Sequence, residues 1–151
     1  GLLGDGPQKG ELEDRAQELR VDDIAGFLGR VDDVPSRLRD TDIFVLPSLS
    51  EGISNALLEA MAHGLPCVAT RIPGNVDLIR DRETGLLVEP GEANGRARAV
   101  GELAADAVLR EKLGRAARAF VEERFDMGGV ARRYAEMYRE LAARGGVKVT
   151  V

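Results

Sequence analysis

Two carboxylates, Glu51 and Glu59, stand eight positions apart around the short turn Gly52-Ile53-Ser54-Asn55. Carboxylates accept hydrogen bonds from paired hydroxyls, which is how an acidic residue holds a ribose in dinucleotide-binding folds. Gly52 lets backbone approach a ligand closely, and Ser54 or Asn55 can cap a helix. The free N–H groups of that helix's first turn form an anion site with a favourable dipole. A phosphate or sugar hydroxyl laid across this mouth would meet an acid on either side. A plainer reading stays open on the residues alone: Glu51 complements the helix N-terminus and Glu59 is a solvated helix residue.

Little else in the chain offers chemistry. Cys67 is the only cysteine, so no internal disulfide exists, and in "PCVAT" it suits a buried strand position. His63 is also alone; just before Gly64 it is expected to meet the last carbonyls of a helix. One His and one Cys build neither a zinc site nor a Cys-His nucleophile pair. We therefore assign no metal ligands.

Elements must present these residues. At 151 residues, 44% hydrophobic and 31% charged, the chain has the makings of one globular domain. Its net charge of −5, with acids and bases interspersed, lacks a basic footprint for nucleic acid. No apolar run approaches the roughly 18 residues of a membrane span, and no signal peptide is read. Short apolar runs alternate with segments of helical period, the pattern of a parallel sheet covered by helices. Strands are expected at "GLLG", "AGFLG", "DIFVLPS", "CVAT" and "TGLLVEPGE", the third buried on both faces. Helices are expected after Pro7, with Leu12, Ala16 and Leu19 as the apolar stripe, then at "VPSRLRD", at 55–63, as one turn around Val76 to Arg80, and from about 92 to Arg144. Gly64 and Pro66 stop the third of these. Leu103, Ala107, Leu109, Leu113, Ala117, Phe120 and Val121, and separately Val130, Tyr134, Met137, Tyr138 and Leu141, read as core-facing stripes. The domain is set at 1–144 and the residues 145–151, "GGVKVTV" from its glycines, as a frayed tail.

The stretch "SEGISNALLEAMAHGLPCVATRIPGNVDLI…TGLLVEPGE" resembles the donor-binding half of retaining glycosyltransferases of the group 1, family 4 type. Glu51, Glu59, Ala60, Met61, Ala62, Gly64, Pro66, Val68 and Ala69 occupy that family's motif of two glutamates, helix end and strand. "GDGP", "FLG", "DIFVLPS" and "ETGLLVEPGE" follow in the family's order. The resemblance implies a Rossmann-like parallel sheet with flanking helices, the C-terminal half of a two-domain GT-B enzyme. It implies transfer of a sugar from a nucleotide-sugar, such as a UDP- or GDP-sugar, with retention of configuration, no other cofactor and no metal. By the same resemblance Glu59 binds the ribose hydroxyls. Glu51 bonds the donor hexose and is the catalytic member of the pair. The backbone of Gly52, Ile53, Ser54 and Asn55 contacts sugar and diphosphate, and Arg30 and Val31 hold the base.

This sequence departs from the family pattern in two places: Ser54, with Asn55 after it, stands where Gly is usual, and Asp77 where Glu is usual. The basic pair that holds the donor diphosphate belongs before Gly1, as do a first strand and helix and the acceptor domain. The expectation is thus of a fragment, inactive alone, whose partners are the nucleotide-sugar and the N-terminal acceptor domain of the same polypeptide. Cytoplasmic location, with peripheral membrane association of the full-length enzyme, goes with that expectation. The rivals are a nucleotide-sugar epimerase or phosphorylase of like architecture, a dinucleotide-binding module, for which Gly4-Asp5-Gly6 lacks the third glycine, and an interaction domain with both glutamates as surface charge.

Overall fold

A computed structural model describes residues 1–145; the expected tail lies outside them, apart from Gly145, which ends the last helix. Two compact units result, divided after Arg39.

The first unit holds β1 (Leu2–Leu3), α1 (Lys9–Glu18), β2 (Phe27–Gly29) and α2 (Val34–Arg39). β1 and β2 pair in parallel, Leu2 opposite Phe27. Ala16 and Leu38 are buried, but Leu12 and Leu19 of the expected stripe are 47% and 56% exposed. Two strands this short offer too little apolar surface to cover a whole helix face. Asp33 starts α2: its carboxylate accepts from the Ser36 amide at 3.0 Å and from the Ser36 hydroxyl. Those bonds, helped by Arg39 and Arg37, hold its carboxyl below the usual aspartate range.

The second unit holds β3 (Phe44–Leu46), α3 (Asn55–Ala62), β4 (Cys67–Thr70), α4 (Pro73–Val76), β5 (Leu86–Val88), α5 (Ala93–Ala105), α6 (Ala107–Arg124) and α7 (Met127–Gly145). Its sheet is parallel in the order β3-β4-β5. β4 lies in the middle and all four of its residues are buried, which is why "CVAT" is purely small and apolar save for Thr70. The expectation that "DIFVLPS" is buried on both faces is corrected: β3 is the edge of this sheet, and Val45 is 37% exposed. The core gathers Val68, Leu86, Val88, Ala99, Leu103 and Leu113 between sheet and helices. At the other edge, the Asp81 carboxylate accepts from the Leu87 amide at 2.9 Å, occupying a ladder donor that would otherwise face solvent.

The fold is therefore the Rossmann-like parallel α/β arrangement expected. Each unit keeps its own parallel pairing, β1-β2 in the first and β3-β4-β5 in the second.

Three helical expectations are revised. The single turn begins at Pro73, not Val76, because extended Ile72 leads into a proline whose fixed φ suits the first helical position. The long helix is three: Asp106 turns its side chain onto the Leu109 amide at 2.9 Å and starts α6, and Asp126 accepts from the Gly128 and Gly129 amides beyond the next break. Of the first stripe, Leu103, Leu113, Ala117, Phe120 and Val121 are buried as expected, while Ala107 is exposed. Of the second stripe, in α7, Tyr134 is 55% and Leu141 54% exposed and Met137 and Tyr138 are also exposed, while the Val130 side chain lies outside those described. A 3.6-residue period announces an apolar face without naming what covers it.

Candidate functional site

The segment 47–54 leaves the carboxyl end of β3 and enters α3, the position at which open parallel sheets bind ligands. Ser54 has extended backbone and is buried, and its hydroxyl accepts from the Leu57 amide at 3.3 Å. It is thus the cap, worth about 1 kcal/mol to the helix, and Asn55 is the first helical residue. The helix ends as its residues foretold: the His63 ring Nδ1 lies 2.9 Å from the Glu59 carbonyl, and Gly64 follows with φ of 75°.

Glu51 is half-buried, and the Ser48 hydroxyl donates to its Oε1 at 2.6 Å. One carboxylate oxygen is thereby oriented while the other is left to other donors. Glu59 lies in the second turn of α3 on the face it shares with exposed Asn55, Ala56 and Ala62, opposite buried Leu57, Ala60 and Met61. Gly52 and Ile53 are exposed at the tip of the loop. Arg30, exposed, and Val31, half-buried, belong to the first unit, in the loop between β2 and the Asp33 cap of α2.

The sequence reading missed Ser48 and Thr70. The Thr70 hydroxyl, fully buried at the end of β4, donates to the Ser48 carbonyl at 2.6 Å, with the Leu46 carbonyl at 3.1 Å. "PSLSE" signals Ser48 only weakly, as a hydroxyl three residues before an acid. Thr70 carries no local signal at all.

Cys67 is buried, donates to the Leu65 carbonyl at 3.3 Å, and burial pushes its thiol up to about 12. Because the thiolate is the nucleophile, the folded protein is expected to resist iodoacetamide at neutral pH and to react only on unfolding. Rapid stoichiometric labelling of the native chain would refute that placement. Among the described residues no group of three or more His, Cys, Asp and Glu could hold a metal ion, and no helix is long and apolar enough to cross a membrane. A hollow of about 270 Å³ between β5 and α5 contains none of the candidate residues. Its charges answer one another, Arg82 with Glu102 and Arg98 with Glu92.

A parallel α/β fold with its longest loop-to-helix crossing at a strand's carboxyl end is of the Rossmann-like class. Residues 2–106 match the family model for group 1 glycosyl transferases, and the chain belongs to that family. It is 34% identical over 140 residues to N-acetyl-alpha-D-glucosaminyl L-malate synthase of Bacillus anthracis, a match covering 93% of this chain and 37% of that protein. Among solved structures, sucrose-phosphate synthase from Thermosynechococcus elongatus superposes with a TM-score of 0.85 at 30% identity, over 94% of this chain and 38% of that one. Anabaena HepE in complex with UDP gives a TM-score of 0.87 at 26% identity, over 93% and 40%. The chain thus spans under half the length of each of these three proteins.

Proposed function

We propose that this chain is the donor-binding part, the C-terminal half, of a retaining GT-B transferase that takes a nucleotide-sugar and passes its sugar to an acceptor. The observation that carries the reading is the loop from Ser48 to Ser54: one acid steadied by Ser48 before a capped helix mouth, and a second acid on the outward face of the same helix. Anabaena HepE, similar over most of this chain, has been solved with UDP and with UDP-glucose, which supports a nucleotide-sugar as the ligand class.

In this reading the amides of Gly52 to Asn55 and the positive end of α3 meet the diphosphate. Glu51 faces the hexose and Glu59 the ribose hydroxyls. The negative charge of the diphosphate is met by backbone donors and the helix dipole in a metal-independent transfer. The acceptor is bound by the part of the polypeptide that the relatives possess beyond the matched share. A cytoplasmic location and any peripheral membrane contact belong to this proposal and rest on the family resemblance.

The test is a calorimetric titration of the full-length protein with UDP-, GDP- and ADP-sugars. One of them is expected to bind, and Glu59→Ala to weaken it about tenfold or more, since losing a bidentate charged acceptor costs at least 1.4 kcal/mol. Affinity within twofold of wild type would remove Glu59 from the site. Failure of every nucleotide-sugar to bind at millimolar concentration would remove the site itself.

A further inference from the structure

The loop bearing Glu51 rests on α4, an element some twenty residues further along the chain. Gly74 is buried against it so closely that a Cβ there would stand 1.9 Å from the Gly52 carbonyl oxygen and 2.7 Å from that of Glu51. Atoms cannot approach to that distance, so this glycine is required by contact, and any side chain must lift the Glu51–Gly52 backbone. The next residue, Asn75, is fully buried, and its Nδ2 donates to the Thr70 carbonyl at 2.9 Å. Its Oδ1 has no hydrogen-bond partner among the described residues. From Thr70 the contacts pass residue to residue: its hydroxyl donates to the Ser48 main-chain carbonyl at 2.6 Å, and the Ser48 hydroxyl donates to Glu51 Oε1 at 2.6 Å.

We infer that Gly74, Asn75 and Thr70 are positioning residues for the sugar end of the site, Gly74 setting the height of the Glu51–Gly52 backbone and the Asn75–Thr70–Ser48 relay setting the aim of the Glu51 carboxylate. The inference rests on the proposed donor-binding function. Its physical basis is that a carboxylate on a loop is only as well placed as the groups that hold it, and small misplacements of a charged group cost far more in turnover than in folding. The relay runs between the ends of β3 and β4, whose pairing is fixed by the register of Leu46 with Ala69. The loop is thereby referred to the sheet, the most rigid part of the unit.

The test uses the full-length protein with Thr70→Val, which keeps the shape and removes the hydroxyl, and Thr70→Ser, which restores it. For Thr70→Val, kcat/KM for sugar transfer is expected to fall about tenfold or more while the Kd for free UDP stays within about twofold, because the relay serves Glu51 and not Glu59. Thr70→Ser should return to within about threefold of wild type, Ser48→Ala should match the Thr70→Val loss, and the double variant should be no worse, since both cut one relay. Gly74→Ala should shift the loop directly. A merely structural role would lower the melting temperature and leave turnover per folded molecule and the Thr70→Ser rescue unremarkable, and that pattern would overturn the inference. A readout without ligand separates this from the parent proposal. The Glu51 carboxyl and Gly52 amide resonances should move in Thr70→Val and Gly74→Ala and return in Thr70→Ser, whether or not any nucleotide-sugar binds. Unmoved resonances sink the positioning role; moved resonances in a protein that binds no nucleotide-sugar sink the function alone.

Discussion

Glu51→Gln is expected to lower kcat/KM for sugar transfer about 100-fold, a loss of about 2.7 kcal/mol of transition-state stabilisation. The change keeps the size of the side chain and an acceptor for the Ser48 hydroxyl, so the loop should stay where the 2.6 Å bond holds it. What disappears is the negative charge. Glycosyl transfer develops positive charge on the departing sugar, as in glycoside hydrolysis, and a fixed carboxylate beside it is worth more in the transition state than in the bound donor. The fall should therefore appear in kcat, with KM changed little. Steady-state kinetics of the full-length variant against its donor would check this, with near-native circular dichroism as the control. Activity within threefold of wild type would show that Glu51 does no more than complement the mouth of α3, the alternative its half-buried place also allows.

Gly114→Ala is expected to lower stability despite adding a good helix former. An alanine here gains about 1 kcal/mol of helix propensity in the middle of α6. Against that, its Cβ would sit 2.0 Å from the Gly64 carbonyl oxygen and 3.0 Å from the Gly64 carbonyl carbon. Both are backbone atoms, so no side chain can swing aside, and α6 must move away from the end of α3. That opens a core in which Leu57, Met61, Leu113 and Ala117 are fully buried. Overpacking of this kind costs about 1–3 kcal/mol and more where backbone is the obstacle, so the clash outweighs the propensity gain and a net loss of about 2 kcal/mol is expected. The melting temperature should fall by about 4–8 °C, measured by calorimetry. Because α6 also seats the stop of α3, some loss of donor affinity should accompany it. Gly101→Ala, whose Cβ meets nothing within 4 Å, is the paired control and should be neutral or stabilising. Equal melting of the two variants would contradict the close approach of α6 to Gly64.

Local chemistry made much of this protein legible in one dimension. The spacing of Glu51 and Glu59, the capping side chain in the turn, the Gly64-Leu65-Pro66 stop and the small apolar run of β4 are each decided within a few residues, because caps, turns and helix ends are short-range bonds. The parallel α/β class followed from alternating periods for the same reason. Where the reading failed locally, a competing local bond was responsible: Asp106 and Asp126 spend their side chains on backbone amides and break one expected helix into three.

Other features were settled only by the assembled fold. An apolar stripe says that a face would gain by burial, yet Leu12, Val45 and the α7 residues Tyr134 and Leu141 remain exposed because no element among the described residues covers them fully. Which of two strand-like runs is buried on both sides depends on which is central, and β4, not β3, is. The holding of Glu51 is the clearest case. Thr70 reaches Ser48 across 22 residues, and Gly74 touches Gly52 across a gap of the same length. The sequence by itself determined which residues could do chemistry and the helix mouth that presents them. Only the tertiary structure decided how they are aimed, because a hydrogen bond between strand ends depends on sheet register, and register is a property of paired strands rather than of either one alone.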